Sequence, residues 1–305
     1  MPEVAALEFS SGTRARMTAA IDDIAHALLE PPSPADNDDL LEVGLYGGNP
    51  GFALFYAYLD RAAPKAKWRR AGLRHLERAI ARVPEASQRP FFSYGFAGCG
   101  WAVQHLAGWF ADVGADGLVE VDAALTMVVE EAQTVTYDLQ YGLVGFGLYA
   151  LERLPSPSAQ RLLAAVVERL ARTVLPGRVG LTWRSVNAVW IESPLLRELD
   201  RGMYLPDVMN GVAGICGLLA GAIRAGVATR TARRLLEGAL TWIWSKRGLY
   251  REPRHAASWS GGGLGIATVA FIAAVTLVSA WITAVALDRY RRVAHPVGTT
   301  TPVTN

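Results

Sequence analysis

TYDLQYGLVGFGLYAL, residues 136–151, sets a Gly-x-x-Gly, Gly142 with Gly145, at the head of an apolar helical run. The same arrangement occurs at Gly48 with Gly51, Gly95 with Gly98, Gly211 with Gly214 and Gly262 with Gly265, at intervals of 47, 47, 69 and 51 residues. A period of this size with helical content marks a repeat architecture, so the repeat is the unit to explain. Each copy leads into a stretch too apolar for a surface helix: 52–59, 101–109, 146–151, 215–223 and 266–287.

Amphipathic helical segments alternate with these runs, at 13–29, 65–83, 118–133, 158–175 and 229–245. In the fourth, Leu162, Leu163, Val166, Val167, Leu170 and Val174 recur at helical spacing, while Arg161, Glu168, Arg169 and Arg172 fall elsewhere. A helix that is apolar all round must be covered on every side. The economical solution is all-α, an α/α toroid in which amphipathic helices form an outer ring and apolar helices an inner one. The glycines bring backbone close to backbone where the inner helices start. Unpaired N–H groups at those starts are expected to ring one end of the barrel, where a site is sought.

The stretches GLYGGNPGFALFYAYL (44–59), SYGFAGCGWAVQHLAG (93–108), TYDLQYGLVGFGLYAL (136–151), MNGVAGICGLLAGAI (209–223) and SWSGGGLGIA (258–267) resemble the lanthionine synthetase C-like family. The resemblance covers about residues 10–267 and implies the α/α toroid. It also implies kinship with zinc enzymes that add peptide cysteine thiols to dehydrated Ser or Thr residues. The third repeat keeps the family's Tyr-Asp-(x)₃-Gly as Tyr137, Asp138 and Gly142. The fourth has Asn210 where the family has His, and the fifth has Ser260 where a cyclase has its first zinc-ligand Cys. The adjacent Cys-His of a sixth repeat has no counterpart. A catalytic zinc normally takes three protein ligands, so the expectation is no metal, no cofactor and no ordinary cyclase activity.

At 305 residues the chain is long enough for a large core, and residues 1–267 read as one barrel domain. A net charge of +2 without a basic stripe gives no sign of nucleic acid as a partner. The first nine residues lack a basic region followed by an apolar core, so no secretory signal is read. From 256 to 287 no residue is charged, and 268–287 (TVAFIAAVTLVSAWITAVAL) is long enough to cross a bilayer. It reads as a C-terminal transmembrane helix, the alternative being a buried inner helix. The basic flank at Arg289, Arg291 and Arg292 and the Pro/Thr-rich end complete a tail over 288–305. These readings place a membrane-anchored protein with its main domain in the cytoplasm.

Asp138 is the leading catalytic candidate. A carboxylate just before an inner helix feels the helix N-terminus, which favours the ionised form and hence a base. The alternative is a cap or loop hydrogen bond. Tyr137 and Tyr141 are candidate proton donors beside it. Cys99 and Cys216 each follow a Gly-x-x-Gly closely, where a helix N-terminus lowers thiol pKa. They are candidates for the acid/base pair of cofactor-free epimerisation, or else small buried hydrophobes. Substrate-binding candidates are Asn210, Trp259, Ser260, His255 and, in the over-long interval 176–209, Trp183. Such an interval suits a lid gripping a peptide, or packing over the barrel mouth.

The apolar C-terminus on a cyclase-like barrel also resembles the maturation proteins of linaridin-type peptides. That likeness implies epimerisation or dehydration-linked chemistry on a ribosomally made precursor peptide, with a second modification protein. Two other readings stay open: a non-catalytic scaffold that binds the precursor, and a truncated cyclase.

Overall fold

A computed structural model of the chain describes residues 10–30, 42–110, 117–133, 135–184, 204–246 and 266–268. It divides into two compact units, the first ending at Val121 and the second starting at Asp122. The first contains α1 (Ser11–Ala27), α2 (Asn49–Ala62), α3 (Ala66–Arg82) and α4 (Phe96–His105). Helix α5 (Leu118–Glu131) crosses the division. The second contains α6 (Leu143–Glu152), α7 (Pro157–Thr173), α8 (Val212–Arg224) and α9 (Thr229–Ser245). A two-residue antiparallel ladder, β1 (Leu175–Pro176) with β2 (Leu181–Thr182), lies between α7 and α8.

The alternation read from the sequence is present. Helix α8 buries ten of its residues, from Val212 to Ile223. Helix α7 buries one stripe, Ala159, Leu162, Leu163, Val166, Val167 and Leu170. Three of the apolar helices pack on the amphipathic helix that follows them: α2 on α3, α6 on α7, α8 on α9. In the first unit, Ala53, Ala57, Leu76, Ala102, Val103, Leu106 and Phe110 close one core around α2, α3 and α4. In the second, Gly147 of α6 receives Leu218 of α8, and Gly221 of α8 receives Leu151 of α6.

The apolar helices begin three to five residues earlier than the hydropathy indicates, because the first glycine of each motif is their N-cap: Gly48, Gly95, Gly142 and Gly211. Their φ angles, −111° to −153°, are extended backbone that any residue adopts. What demands glycine is space. A Cβ on Gly95, Gly142 or Gly211 would lie 1.9, 2.2 or 2.4 Å from the carbonyl oxygen six residues earlier, of Arg89, Thr136 or Leu205. Those carbonyls accept from the first helical N–H groups: Phe96 to Arg89 at 3.0 Å, Leu143 to Thr136 at 2.9 Å and Val212 to Leu205 at 2.8 Å. Val144 and Ala213 donate in the same way to Tyr137 and Pro206. The expected ring of unpaired N–H groups is therefore corrected at these helix starts, because the preceding loop folds back and takes them.

The expected transmembrane helix is also corrected. Among the described residues no helix is long and apolar enough to cross a membrane. The apolar helices α2, α4, α6 and α8 span only 14, 10, 10 and 13 residues, against the roughly 20 that a bilayer requires. Residues 269–287 lie outside the described residues. The anchored localisation, the membrane as a partner and the membrane-anchored form of the function all rested on that helix and fall with it.

Gly142→Ala should be costly, since its Cβ would meet backbone oxygen, which cannot turn aside. We expect a loss of roughly 2–3 kcal/mol in urea unfolding. The atoms nearest to a Cβ on Gly147 are those of the Leu218 side chain, its two methyls foremost. Gly147→Ala should lose about 1 kcal/mol or less, since alanine favours the helix by a similar amount.

Candidate functional site

The third-repeat turn is built around Asp138. Its Oδ1 accepts the N–H groups of Gln140 (2.8 Å) and Tyr141 (2.7 Å), and its Oδ2 accepts the Thr136 hydroxyl. A carboxylate thus braces the loop whose carbonyls cap α6. Loss of solvent around Asp138 pushes its carboxyl above the usual range, against the opposing pull of the Thr136, Tyr141 and Gln140 hydrogen bonds. The sequence-based expectation of a carboxylate eased toward ionisation by the helix start is thus reversed in direction. The helix donors nearest to it are already taken by backbone carbonyls, and desolvation prevails.

The fourth repeat repeats the device with a residue that the sequence reading missed. Asp207 stands four residues before Gly211, as Asp138 stands four before Gly142. Asp207 Oδ1 accepts the Asn210 N–H at 2.7 Å, and the Met209 N–H is a second donor to the carboxyl. Asp207 is buried, and desolvation, together with the charge of Asp138, raises its carboxyl. The two turns are joined directly, Leu139 N–H donating to Met209 O at 2.9 Å. The signal was present as a shared Asp-(x)₃-Gly in repeats three and four. Repeats one and two carry Gly44 and Phe91 at that position.

Around this pair the structure gathers some of the expected residues. Tyr137 is buried, Tyr141 is half-buried and gives its N–H to Asp138, and Asn210 is exposed on the neighbouring turn. Cys99 sits in α4 of the first unit and Cys216 in α8 of the second, so one unit does not contain both. Both are buried, and burial pushes both thiols up, Cys99 to about 12. The lowering expected from their helix starts is outweighed by desolvation. Trp183 is buried and donates Nε1–H to Leu170 O at 2.9 Å, closing the end of α7. Residues 175–182 form the β1–β2 turn, which packs on α9 through Gly180. The remainder of the long interval, 185–203, lies outside the described residues, as do His255, Trp259 and Ser260.

The lanthionine synthetase C-like protein family matches residues 39–280. The chain belongs to that family. Nisin cyclase shares its fold, with a TM-score of 0.63 at 16% identity, over 89% of this chain and 73% of that one. No curated protein matches the chain significantly. A lanthionine synthetase C-like fold raises the question of zinc. Among the described residues no group of three His, Cys, Asp or Glu side chains could hold a metal ion. Asp138 spends both oxygens on the turn, and Asn210 offers an amide, a poor zinc donor. The donors among the described residues do not fit zinc, and no chemical step is assigned to it.

The raised carboxyl of Asp138 makes a sign-specific prediction. A folded-state pKa above the ordinary aspartate value means that the folded protein binds this proton more tightly than the unfolded chain. The associated stability is present below the unfolded pKa and lost as pH rises through the folded one. Asparagine keeps an oxygen for both N–H groups and carries no charge. Asp138→Asn should therefore melt at or above the wild-type temperature at pH 7. Its advantage should shrink on acidification through the raised pKa and vanish in the region of the unfolded value. Thermal melts over a pH series check this.

Proposed function

We propose that this chain modifies a ribosomally made precursor peptide by proton transfer, with Asp138 as base and Asp207 as the acid beside it. The observation that carries the reading is the pair itself: two desolvated carboxyls on adjoining turns, each pushed toward the pH at which acid/base groups work. In epimerisation, the Asp138 carboxylate takes the Cα proton and the Asp207 carboxylic acid returns one to the opposite face, so the peptide's atoms are unchanged. In dehydration, the same base takes Cα–H and the acid protonates the departing hydroxyl, releasing water. Asp138 must first release the Thr136 hydroxyl from Oδ2. Membership of the lanthionine synthetase C-like family supports a peptide substrate, as does the likeness to a cyclase named for nisin. Linaridin-type maturation, with a second modification protein, remains the finer form of this proposal. Its support is Asn210 and Ser260, which stand where the family carries His and Cys, and no anchor enters it.

A scaffold reading has one observation in its favour: Asp138 already serves its own turn through both N–H bonds. Mass spectrometry of a precursor peptide co-expressed in D₂O, with and without the second modification protein, separates the two. We expect deuterium at Cα, or loss of water, with the wild type. Asp138→Asn should reduce the rate by about 100-fold or more, the scale of general-base catalysis, while melting no lower than the wild type. An unaltered rate in that variant, or an unmodified peptide that co-purifies with the wild type despite the second protein, would favour the scaffold.

A further inference from the structure

The first unit contains a cavity of about 270 Å³ that has no part in the carboxylate pair, lined by Ala57, Asp60, Arg61, Arg69, Trp109 and Phe110, with Gly108 at its rim. Its walls are fixed by the fold. Gly108, at φ 86°, turns the chain sharply after α4, a conformation that glycine adopts without strain. Phe110 is seated against Gly72 of α3, whose missing Cβ would lie 2.6 Å from the ring. Trp109 is held edge-on by Tyr58 at 5.0 Å. Tyr58 is in turn hydrogen-bonded to His105 Nε2 at 2.9 Å, and His105 stacks on Trp101 at 4.6 Å. The aromatic wall is therefore a connected run of rings, and Tyr58 is 50% exposed.

The charges of this cavity are unbalanced. Asp60 gives one oxygen to the Lys65 N–H at the start of α3. Arg61 leans over Trp109 at 5.4 Å, and Arg69 is exposed on α3. Among the described residues neither guanidinium has a carboxylate within ion-pair distance, whereas Arg74, Arg78, Arg82 and Arg153 all do. Two forked donors beside an aromatic face suit a carboxylate neighbouring an apolar or aromatic side chain.

We propose that this cavity docks an acidic peptide segment, Arg61 and Arg69 taking a Glu or Asp carboxylate while Trp109 covers the adjacent apolar side chain. That the segment belongs to a precursor peptide rests on the proposed function; the recognition chemistry does not. The probe is the labelled peptide Glu-Leu-Phe-Glu-Leu, compared with Gln-Leu-Phe-Gln-Leu, by fluorescence anisotropy on the full chain. The acidic peptide should bind about tenfold more tightly at low salt, the scale of two partly exposed ion pairs. The preference should narrow as salt screens it. The double variant Arg61→Gln with Arg69→Gln should lose the preference, and Arg61→Lys with Arg69→Lys should recover part of it. Trp109→Ala should weaken both peptides alike. Melting temperatures at the wild-type level show that each variant is folded. Equal binding of the two peptides, binding of neither, or a preference that survives in the glutamine double variant overturns the proposal. Binding is read without any modification step. A failure here counts against the cavity, and a failure of deuterium incorporation counts against the carboxylate pair.

Discussion

Helices α4, α6 and α8 each depend on a backbone carbonyl that leaves no room for a Cβ on the residue capping them. The first N–H groups of a helix have no partner within it. In a helix covered by other helices, water cannot serve them, and each unmet donor costs about 1–3 kcal/mol. The loop before α4, α6 and α8 folds back to within hydrogen-bond reach of those donors, and only a residue without a side chain lets it come so close. Helix start and loop conformation are thus one constraint. The repeat survives as Gly-x-x-Gly because the second glycine faces the same problem: Cβ atoms on Gly51, Gly98 and Gly214 would meet the carbonyls of Leu45, Phe92 and Val208.

The same constraint makes a site available. A loop folded back over a helix start presents its own N–H groups to whatever stands four residues before the glycine. In repeats three and four that residue is an aspartate, and in each case the N–H groups two and three positions later serve it. The carboxylates are therefore held in place by the N–H groups of the turn, with the Thr136 hydroxyl added at Asp138. Their positions follow from the backbone, and Leu139 N–H to Met209 O ties one turn to the other.

Much of this was legible in the sequence, for reasons that differ by residue. The amphipathic helices were readable because α7 and α9 each bury one stripe at helical spacing, and periodicity reports that directly. The starts of α4, α6 and α8 were misjudged because hydropathy is blind to a glycine that caps. Asp138 was visible through the family's motif. Asp207 was not, because the family's motif in the fourth repeat is centred on the position of Asn210, three residues later. The cysteines carried two readings, a thiol lowered by a helix start and a small buried hydrophobe, and the burial of Cys99 and Cys216 in the packed structure favours the second. The cavity at Trp109 escaped because Asp60, Arg61, Arg69 and Trp109 are brought together by the packing of α2, α3 and α4 and share no motif.

How the protein handles its other buried carboxylates separates structure from chemistry. Glu42 is desolvated, yet Arg78 and Arg82 hold its carboxyl below the usual range. Asp122 is fully buried and met by Arg153, Tyr149 and Ser158. Those are the arrangements of carboxylates kept for stability, in which a cation or a full set of donors compensates the charge. Asp138 and Asp207 have backbone donors, one hydroxyl and, among the described residues, no ion-pair partner, and the charge of Asp138 adds to the desolvation that raises Asp207. A turn needs only an acceptor, which asparagine supplies as well as aspartate does. Two ionisable groups placed where neutral ones would also brace the loops accord with the proton transfer proposed for them.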